Sequence, residues 1–335
     1  NLGIPFQTVD LSKEYKERIV DYMFDEYKNG RTPNPDILCN REIKFDIFLK
    51  TALSLGADFV ATGHYCRKEE VQVGNDTVYR LLAGVDDNKD QSYFLCQLSQ
   101  EQLKHALFPI GELQKPAVRD IAKEADLITA EKKDSQGLCF VGKIKLPEFL
   151  QQKLEPKEGV VRELDVADPL FVKYEDGYKE FSDVELQELT KETNWNAQMG
   201  KKVGDHRGAH FFTVGQRKGM NIGGTPLPLF VLGTDVIENV VYTGQGGDHP
   251  GLYRKGLFIK SEDVHFVRED LRLAIGESKE FDVRIRYRQD LVKGMLFAKM
   301  DGVYIVFEKP IRGIAKGQFA VWYEGDELIG SGVIS

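Results

Sequence analysis

Long hydrophobic runs are missing from this sequence. No apolar run approaches the ~20 residues that a membrane-spanning helix needs, and no signal peptide is recognisable. We therefore expect no membrane partner and a cytoplasmic location. With 335 residues, of which 41% are hydrophobic and 29% charged, the composition is typical of a globular protein with two or three domains.

Cysteine is scarce too, and positive charge is not in excess. The four cysteines form no CxxC pair, which argues against a disulfide scaffold and a structural zinc site. The net charge of −8 argues against a broad nonspecific nucleic-acid binder, although one face of a multidomain protein can still be basic. No metal site is predicted, because no motif groups the scattered histidines, among them His105, His206, His249 and His265.

A proline-bracketed segment at residues 30–42 organises the first half of the chain. The prolines on either side of Asn34 remove backbone donors, so we expect a shaped loop between two helices. Asp36 and Cys39 follow where the second helix is expected to begin, and a helix N-terminus favours a thiolate. Cys39 is thus a candidate nucleophile, although a structural turn with a half-buried cysteine explains these residues equally well.

A second candidate thiol, Cys139, lies in a Gly-punctuated segment, Asp-Ser-Gln-Gly-Leu-Cys-Phe-Val-Gly. Nearby cations lower a thiol pKa. Several lysines flank this segment and could do so, namely Lys132, Lys133, Lys143 and Lys145.

The periodicity of residues 1–157 predicts an open α/β sheet. We expect a strand at residues 3–9, a helix capped by Ser12 that runs to Lys28, and a second helix at about 40–55. The apolar run at 58–61 is typical of a buried parallel strand, and Gly63 and His64 follow it at a ligand-facing edge. A turn glycine and a surface histidine are the simpler interpretation of these two residues.

Further signals continue this pattern. Residues 71–82 predict a hairpin, 86–92 a solvated loop, and Ser99 with Gln102 a capping box. A helix begins near Lys115, and a last helix should end near Leu154.

From Gly159 onward short β-rich runs predict small sheets or barrels. Residues 164–204 are polar and acidic, and we interpret them as an insertion with a short helix. We expect a strand from His210 that enters a basic turn, and a strand at 283–289 that gathers arginines on one face with Tyr287 on the other. Such a face could bind RNA, although an ordinary solvated strand is equally plausible. The predicted domains are 1–157, 158–250 and 251–335.

Six motifs give the chain a close resemblance to the tRNA-specific 2-thiouridylase family. They occur in family order: Gly-Arg-Thr-Pro-Asn-Pro-Asp36-Ile-Leu-Cys39-Asn, Ala-Thr-Gly63-His64-Tyr, Asn-Lys89-Asp90-Gln91-Ser-Tyr-Phe, Lys-Asp-Ser-Gln-Gly-Leu-Cys139-Phe-Val-Gly, Gly-Gln-Arg-Lys-Gly and Arg286-Tyr287-Arg-Gln. The resemblance implies an adenine-nucleotide-hydrolase-like (PP-loop) α/β domain followed by two β-rich domains. It also implies ATP-dependent 2-thiolation of the wobble uridine in tRNA of the Lys, Glu and Gln type.

The resemblance assigns roles position by position. Cys139 resembles the cysteine that carries the persulfide, Cys39 its disulfide-forming partner, and Asp36 the general acid/base. Gly63 matches a nucleotide-contacting position, so ATP is the implied cofactor, accompanied by Mg²⁺. A cysteine desulfurase or sulfur relay protein is the implied sulfur donor. Positions that match tRNA contacts are Asn34, Pro35, Asp36, His64, Lys89, Asp90, Gln91, Arg286, Tyr287 and Gln318.

One family motif is not found. The phosphate-binding loop Ser-Gly-Gly-x-Asp-Ser does not occur, and the chain starts without methionine, so we expect that an upstream portion of roughly 60–80 residues is missing. Without that loop, adenylation should fail. Two other functions therefore stay open: a catalytically incompetent tRNA-binding fragment and a two-cysteine sulfur carrier. Cys66 and Cys96 match no motif cysteine and are interpreted as structural.

Overall fold

The computed structural model describes residues 3–335 apart from 133–138, 140, 141, 143–145 and 173. Within this described part, no helix is both long and apolar enough to cross a membrane. The helices are α1 (Ser12–Tyr15), α2 (Asp21–Lys28), α3 (Pro35–Leu38), α4 (Phe48–Ser54), α5 (Gln100–Lys104), α6 (Lys115–Glu124), α7 (Leu146–Leu150) and α8 (Asp183–Thr190).

Two π-helical segments join the first four helices into two continuous rods. Lys16–Val20 links α1 to α2, and Cys39–Ile47 links α3 to α4. The second rod begins at Pro35 rather than near residue 40, because proline suits the first helical position and the Asn34 side chain accepts a hydrogen bond from the Ile37 N–H (3.4 Å). Cys39 therefore lies inside a helix, one turn beyond its start.

Fifteen strands make up three sheets in the described part. The strands are β1 (Val60–Ala61), β2 (Cys66–Val73), β3 (Asp76–Ala83), β4 (Ala106–Leu107), β5 (Gly159–Glu163), β6 (Lys201–His206), β7 (Leu229–Asp235), β8 (Val240–Gln245), β9 (Tyr253–Lys260), β10 (Val264–Phe266), β11 (Ser278–Arg284), β12 (Val292–Lys299), β13 (Gly302–Arg312), β14 (Phe319–Glu324) and β15 (Glu327–Val333).

The parallel sheet of the α/β region consists here of β1 and β4, with Val60 opposite Ala106. The central sheet has the order β6-β5-β8-β7. The large sheet has the order β2-β3-β15-β14-β11-β12-β13-β9, with β10 beside β15. A parallel pair in a helical region, followed by two β-rich sheets, agrees with the predicted α/β class.

The large sheet joins the two ends of the chain. The predicted hairpin is present as β2 and β3, but β3 also pairs with β15, with Leu81 opposite Leu328. One hydrophobic core accordingly contains side chains of the first rods and of β14, including Ile37, Cys39 and Phe319. The α/β region is thus packed directly on the C-terminal sheet.

Several local predictions are confirmed. Ser99 and Gln102 form the capping box of α5, α6 begins at Lys115 with its proline in the first turn, and residues 164–204 contain the helix α8. Cys66 and Cys96 are fully buried, and their structural role stays a prediction.

Other local predictions are wrong. Residues 3–11 have no regular secondary structure, because Ile4 and Phe6 are exposed and no strand pairing holds them. Ser12 is the first residue inside α1 rather than its cap, and its N–H donates to Asp10 Oδ1 (3.0 Å). The last predicted helix stops at Leu150.

The two strands expected around basic residues also differ from the structure. Ala209–Phe211 form a single 3₁₀ turn rather than a strand from His210, and Gly215 and Gly219 then take positive φ angles that an extended strand does not allow. Strand β11 ends at Arg284, so Arg286 and Tyr287 lie in the following bend and turn instead of alternating along a strand.

Candidate functional site

Hydrogen bonds from the C-terminal part of the chain hold the backbone that leads into the second rod. Gln318, between β13 and β14, donates from Nε2 to the carbonyls of Thr32 (2.8 Å) and Pro33 (3.3 Å). The Lys316 carbonyl accepts from the Thr32 N–H (2.8 Å). The backbone before Asn34 and Pro35 is therefore held by the C-terminal sheet, which sets the direction in which the helix with Asp36 and Cys39 begins.

The structure brings together the two thiols that the sequence separates by 100 positions. Cys39 has no exposed surface and Cys139 is half-buried, and both are free thiols. A hydrogen bond between them lowers the pKa of Cys139, while the same bond, together with burial, raises the pKa of Cys39. Cys139 is thus the sulfur that ionises first, and Cys39 is the proton donor of the pair.

This assignment corrects the expectation of a thiolate at Cys39. The helix start was expected to favour a thiolate at Cys39, but burial and the neighbouring Cys139 sulfur outweigh it. Of the lysines that flank Cys139 in sequence, Lys132 is exposed, and Lys133, Lys143 and Lys145 lie outside the described residues. Among the described residues, Lys44 is the lysine that contacts Cys139, and its Nζ lies 3.9 Å from the Cys139 Sγ.

Asp36 and Tyr15 complete what we call the thiol pocket, which comprises Tyr15, Asp36, Cys39, Lys44 and Cys139. Asp36 lies in the first turn of the rod, and its carboxylate raises the pKa of both thiols. Tyr15 is buried in the core beside them, and burial together with the neighbouring thiols and Asp36 raises its pKa. The pocket thus holds a carboxyl group, a lysine side chain, a tyrosine and two sulfurs in one place.

The loop after β1 carries Gly63 and His64. Gly63 is exposed, and a Cβ atom there would meet nothing within 4 Å, so the backbone is open to a ligand. His64 is only 9% exposed, which makes the surface-histidine interpretation wrong. Its Nδ1 bonds to Thr62 Oγ1 (2.8 Å), and burial, with a smaller effect of Lys44, lowers its pKa to about 3. His64 is therefore neutral near pH 7.

Residues 86–92, which we expected to form a solvated loop, are instead hydrogen-bonded to other parts of the protein. Asp90 is buried and accepts from the N–H groups of Gly84 (3.2 Å) and Ser92 (3.0 Å) and from Arg284 (3.3 Å). Gln91 binds Tyr65 through backbone (2.8 Å) and side chain (3.1 Å), which fixes the residue after His64.

Residues after this loop extend the contact with the large sheet. Tyr93 Oη donates to the carbonyls of Ile285 (3.3 Å) and Phe319 (3.1 Å). Gln97 Nε2 donates to Ser331 Oγ (2.8 Å). We call this set of bonds the sheet interface. From the α/β region it contains the side chains of Asp90, Ser92, Tyr93 and Gln97 and the backbone of Thr32. From the large sheet and its adjoining residues it contains the side chains of Arg284, Gln318, Tyr323 and Ser331.

The other candidate tRNA contacts lie beside the sheet interface. Arg286 donates from Nη2 to the carbonyls of Val214 (3.0 Å) and Gly313 (2.7 Å), and burial lowers its pKa. The Tyr287 ring lies 4.4 Å from the ring of Phe94, and Lys89 is half-buried. Arg286 thus ties the central region to the C-terminal sheet.

Sequence reasoning missed Lys44 and its neighbour Asn40. Both follow Cys39 in the same helix. The signal that could have identified them is their spacing of four residues, which places them on one face of that helix. In a π-helix the bonded residues are five apart, which places Lys44 one turn beyond Cys39. Within the described residues, no group of three or more His, Cys, Asp or Glu side chains could hold a metal ion.

Comparison with known proteins gives three family matches along the chain. A model described as "tRNA methyl transferase HUP domain" matches residues 1–143, "tRNA methyl transferase PRC-barrel domain" matches 190–245, and "Aminomethyltransferase beta-barrel domain" matches 257–334. This order of one α/β domain and two β-rich domains confirms the predicted fold class.

Individual relatives match over essentially the whole chain. The tRNA-specific 2-thiouridylase MnmA of Christiangramia forsetii is 61% identical over 334 residues, covering 100% of this chain and 84% of the relative. The protein of the same name from Flavobacterium johnsoniae is 62% identical over 335 residues, with 100% and 84% covered. That of Shouchella clausii is 43% identical over 334 residues, with 99% and 80% covered.

Proposed function

The chain belongs to the tRNA-specific 2-thiouridylase family, and from that premise we propose that its thiol pocket transfers sulfur to C2 of the wobble uridine in tRNA of the Lys, Glu and Gln type. The observation that carries this proposal is the contact of Cys39 with Cys139 beside Asp36. A reaction that forms and breaks sulfur–sulfur bonds needs two thiols that can meet.

Cys139 is the proposed sulfur carrier. Its thiolate attacks the sulfane sulfur of a donor persulfide, and the donor thiolate leaves; a cysteine desulfurase or sulfur relay protein is the donor we propose. The terminal sulfur of the resulting Cys139 persulfide then forms a bond to C2 of the uridine, and the activated C2 oxygen leaves with its electron pair. The pKa of Cys139, which the hydrogen bond with Cys39 lowers from its usual value, supports this role because the anion is the nucleophile.

Cys39 is the proposed resolving thiol. It attacks Cys139 Sγ, the bond to the delivered sulfur breaks, and that sulfur keeps the electron pair as the 2-thio group. The product is a Cys39–Cys139 disulfide, which an external thiol must reduce by two electrons before the next turnover. Because Cys39 holds its proton in the resting pocket, it needs a base, and we propose the nearby Asp36 as that acid/base group.

ATP is the proposed co-substrate. The HUP type of domain uses ATP, which when bound supplies the adenylate that makes the C2 oxygen a leaving group. The open backbone at Gly63 fits a nucleotide contact, since nothing crowds that position. Mg²⁺ accompanying the ATP is part of the same proposal.

We propose two kinds of tRNA-recognition residue. Asp36 belongs to the thiol pocket, Asn34 and Pro35 precede it in the chain, and Lys44 of the pocket influences the pKa of His64. We propose that these four residues meet the wobble base, which is unpaired and can be extruded at little energetic cost. The remaining candidate positions lie beside or in the sheet interface, where several of their polar atoms are already bonded, and would shape the surface that the tRNA backbone meets: Lys89, Asp90, Gln91, Arg286, Tyr287 and Gln318.

Thiolation of an unmodified glutamate-type tRNA transcript tests the proposal. We would supply ATP and a persulfide donor and detect thiolated tRNA by its retardation in a mercury-containing gel. The 335-residue chain would be compared with the same chain joined to the part of the longer Christiangramia relative that lies outside the match. A retarded band with either protein, lost in Cys139→Ser, is the expected result.

The other outcomes identify the competing functions. Persulfide on Cys139 that never reaches tRNA in either protein would identify a two-cysteine carrier. Tight tRNA binding without persulfide or thiolation would identify a binding protein.

A further inference from the structure

Lys44 reaches into the thiol pocket from the middle of the π-helical segment. Its Nζ lies 3.9 Å from Cys139 Sγ and 2.9 Å from Asn40 Oδ1. Within the part of the chain that the structure describes, Lys44 forms no ion pair with a carboxylate, whereas Lys50 in the same rod pairs with Asp46. The ammonium charge of Lys44 is therefore directed to the sulfur.

Asn40 fixes the position of this ammonium group. It is only 2% exposed, and its Nδ2 donates to the Phe94 carbonyl at 2.9 Å. Phe94 belongs to the same short helix as Tyr93. The Tyr93 hydroxyl bonds to the carbonyls of Phe319 in β14 and of Ile285 just after β11. A chain of bonds thus runs from the C-terminal sheet through Asn40 to Lys44 and ends at Cys139 Sγ.

We propose that Lys44 is a catalytic residue that keeps the Cys139 sulfur, and then its persulfide, anionic and oriented, and that Asn40 is the residue that positions Lys44. This inference rests on the proposed function and deepens it. Among the residues that the structure describes, the charged or titratable groups that face Cys139 are Cys39, Asp36, Tyr15 and Lys44. The hydrogen bond with Cys39 favours the anion of Cys139, Asp36 opposes it and His64 is neutral at pH 7, so Lys44 supplies the positive charge among the described groups.

The test measures alkylation of Cys139 by iodoacetamide as a function of pH, with the modified residue identified by mass spectrometry. This readout needs neither tRNA nor ATP. Lys44→Met keeps the length of the side chain and removes the charge, and we expect the pH midpoint for alkylation to rise by about one unit. Lys44→Arg keeps the charge and should restore most of the wild-type midpoint.

Lys50→Met is the matched control, because the Lys50 side chain is 75% exposed in the same rod and should leave the midpoint unchanged. Asn40→Ser keeps Lys44 but removes its long anchor, and we expect an intermediate rise. If Lys44→Met fails to fold, Asn40→Ser and Lys44→Gln carry the same comparison. Equal midpoints in wild type, Asn40→Ser and the folded Lys44 variant would overturn the proposal.

Single-turnover thiolation separates this inference from the function on which it rests. We expect Lys44→Met to slow sulfur transfer by roughly tenfold or more, in line with a one-unit pKa effect, while the tRNA concentration for half-maximal rate stays unchanged. A shifted alkylation midpoint with thiolation that survives Cys139→Ser would retain the effect of Lys44 on the Cys139 thiolate, but would reject Cys139 as the sulfur carrier and with it the catalytic role of Lys44. An unshifted midpoint with Cys139-dependent thiolation would retain Cys139 as the sulfur carrier and reject the role of Lys44.

Discussion

The thiol pocket and the sheet interface bury polar groups in different ways. In the sheet interface each group has a fixed partner: Asp90 accepts three hydrogen bonds, and Tyr93 reaches two backbone carbonyls. In the thiol pocket Cys39, Cys139 and Asp36 face one another, and each shifts the pKa of a neighbouring thiol. The first arrangement stabilises one structure, while the second leaves groups ready to exchange protons and sulfur. Activity and stability should therefore respond to different substitutions.

Cys139→Ser gives the largest effect that we expect. Replacing the carrier sulfur by a hydroxyl should lower thiolation at least about a thousandfold, because the nucleophile is lost. The unfolding midpoint should stay nearly constant, since Cys139 is only half-buried on a turn. Gel retardation and thermal unfolding measure the two quantities.

Cys96→Ser is the matched control for that change. Cys96 is fully buried at the sheet interface, where its carbonyl accepts from Ser331 Oγ (2.8 Å). We expect a loss of roughly 1 kcal/mol of unfolding free energy with thiolation retained in the folded protein. Thiolation that survived Cys139→Ser would contradict the distinction between the two regions.

Asp90→Ala should cause the largest loss of stability. It leaves Arg284 without its carboxylate partner, and both side chains are largely buried. We expect about 3 kcal/mol less unfolding free energy, measured by urea denaturation. The control is Asp326→Ala, because that carboxylate pairs with Arg67 while 72% exposed and should matter little. Equal effects of the two substitutions would mean that the sheet interface is not a stability determinant.

Arg286→Met tests whether Arg286 contacts the tRNA or instead stabilises the folded protein. Its resemblance to a tRNA contact predicts that the salt dependence of tRNA binding becomes less steep when the charge is removed. Its bonds to Val214 and Gly313 instead predict a loss of about 2 kcal/mol of unfolding free energy, since two carbonyls lose their donor. We expect the stability loss with an unchanged salt slope. A slope reduced by about one unit would show direct phosphate contact.

Sequence reasoning reached the thiol pocket because its residues carry chemistry in short motifs. Asp36, Cys39 and Cys139 could be selected by residue type, and the structure places them together. Lys44 was missed because a lysine on a helix is usually a surface residue, and only the π-helical segment and Asn40 turn it inward. Secondary structure was predictable where local signals suffice, as at Ser99 and Lys115.

The sheet interface was not predictable, because its bonds connect distant residues. Nothing local indicates that Gln318 holds the Thr32 carbonyl or that β3 pairs with β15. The loop with Asp90 was expected to be solvated since its sequence is polar. Polar composition does not distinguish a solvated loop from one whose polar atoms are satisfied by a distant sheet.

His64 should give the smallest effect at pH 7, and the effect should grow as the pH falls. Folding lowers the pKa of His64 from the ordinary value near 6.5 to about 3. Between these two pH values His64 is therefore protonated in the unfolded chain and neutral in the folded protein. The stability contribution is complete above pH 6.5 and declines as the pH falls, by about 1.4 kcal/mol per pH unit for one proton. His64→Gln should remove this part of the slope in urea denaturation at pH 7, 6 and 5. Thr62→Val, which removes only the hydrogen bond to His64, should lower the unfolding free energy equally at each pH. If the unfolding free energies of wild type and His64→Gln changed in parallel with pH, His64 would take up its proton without leaving the buried site.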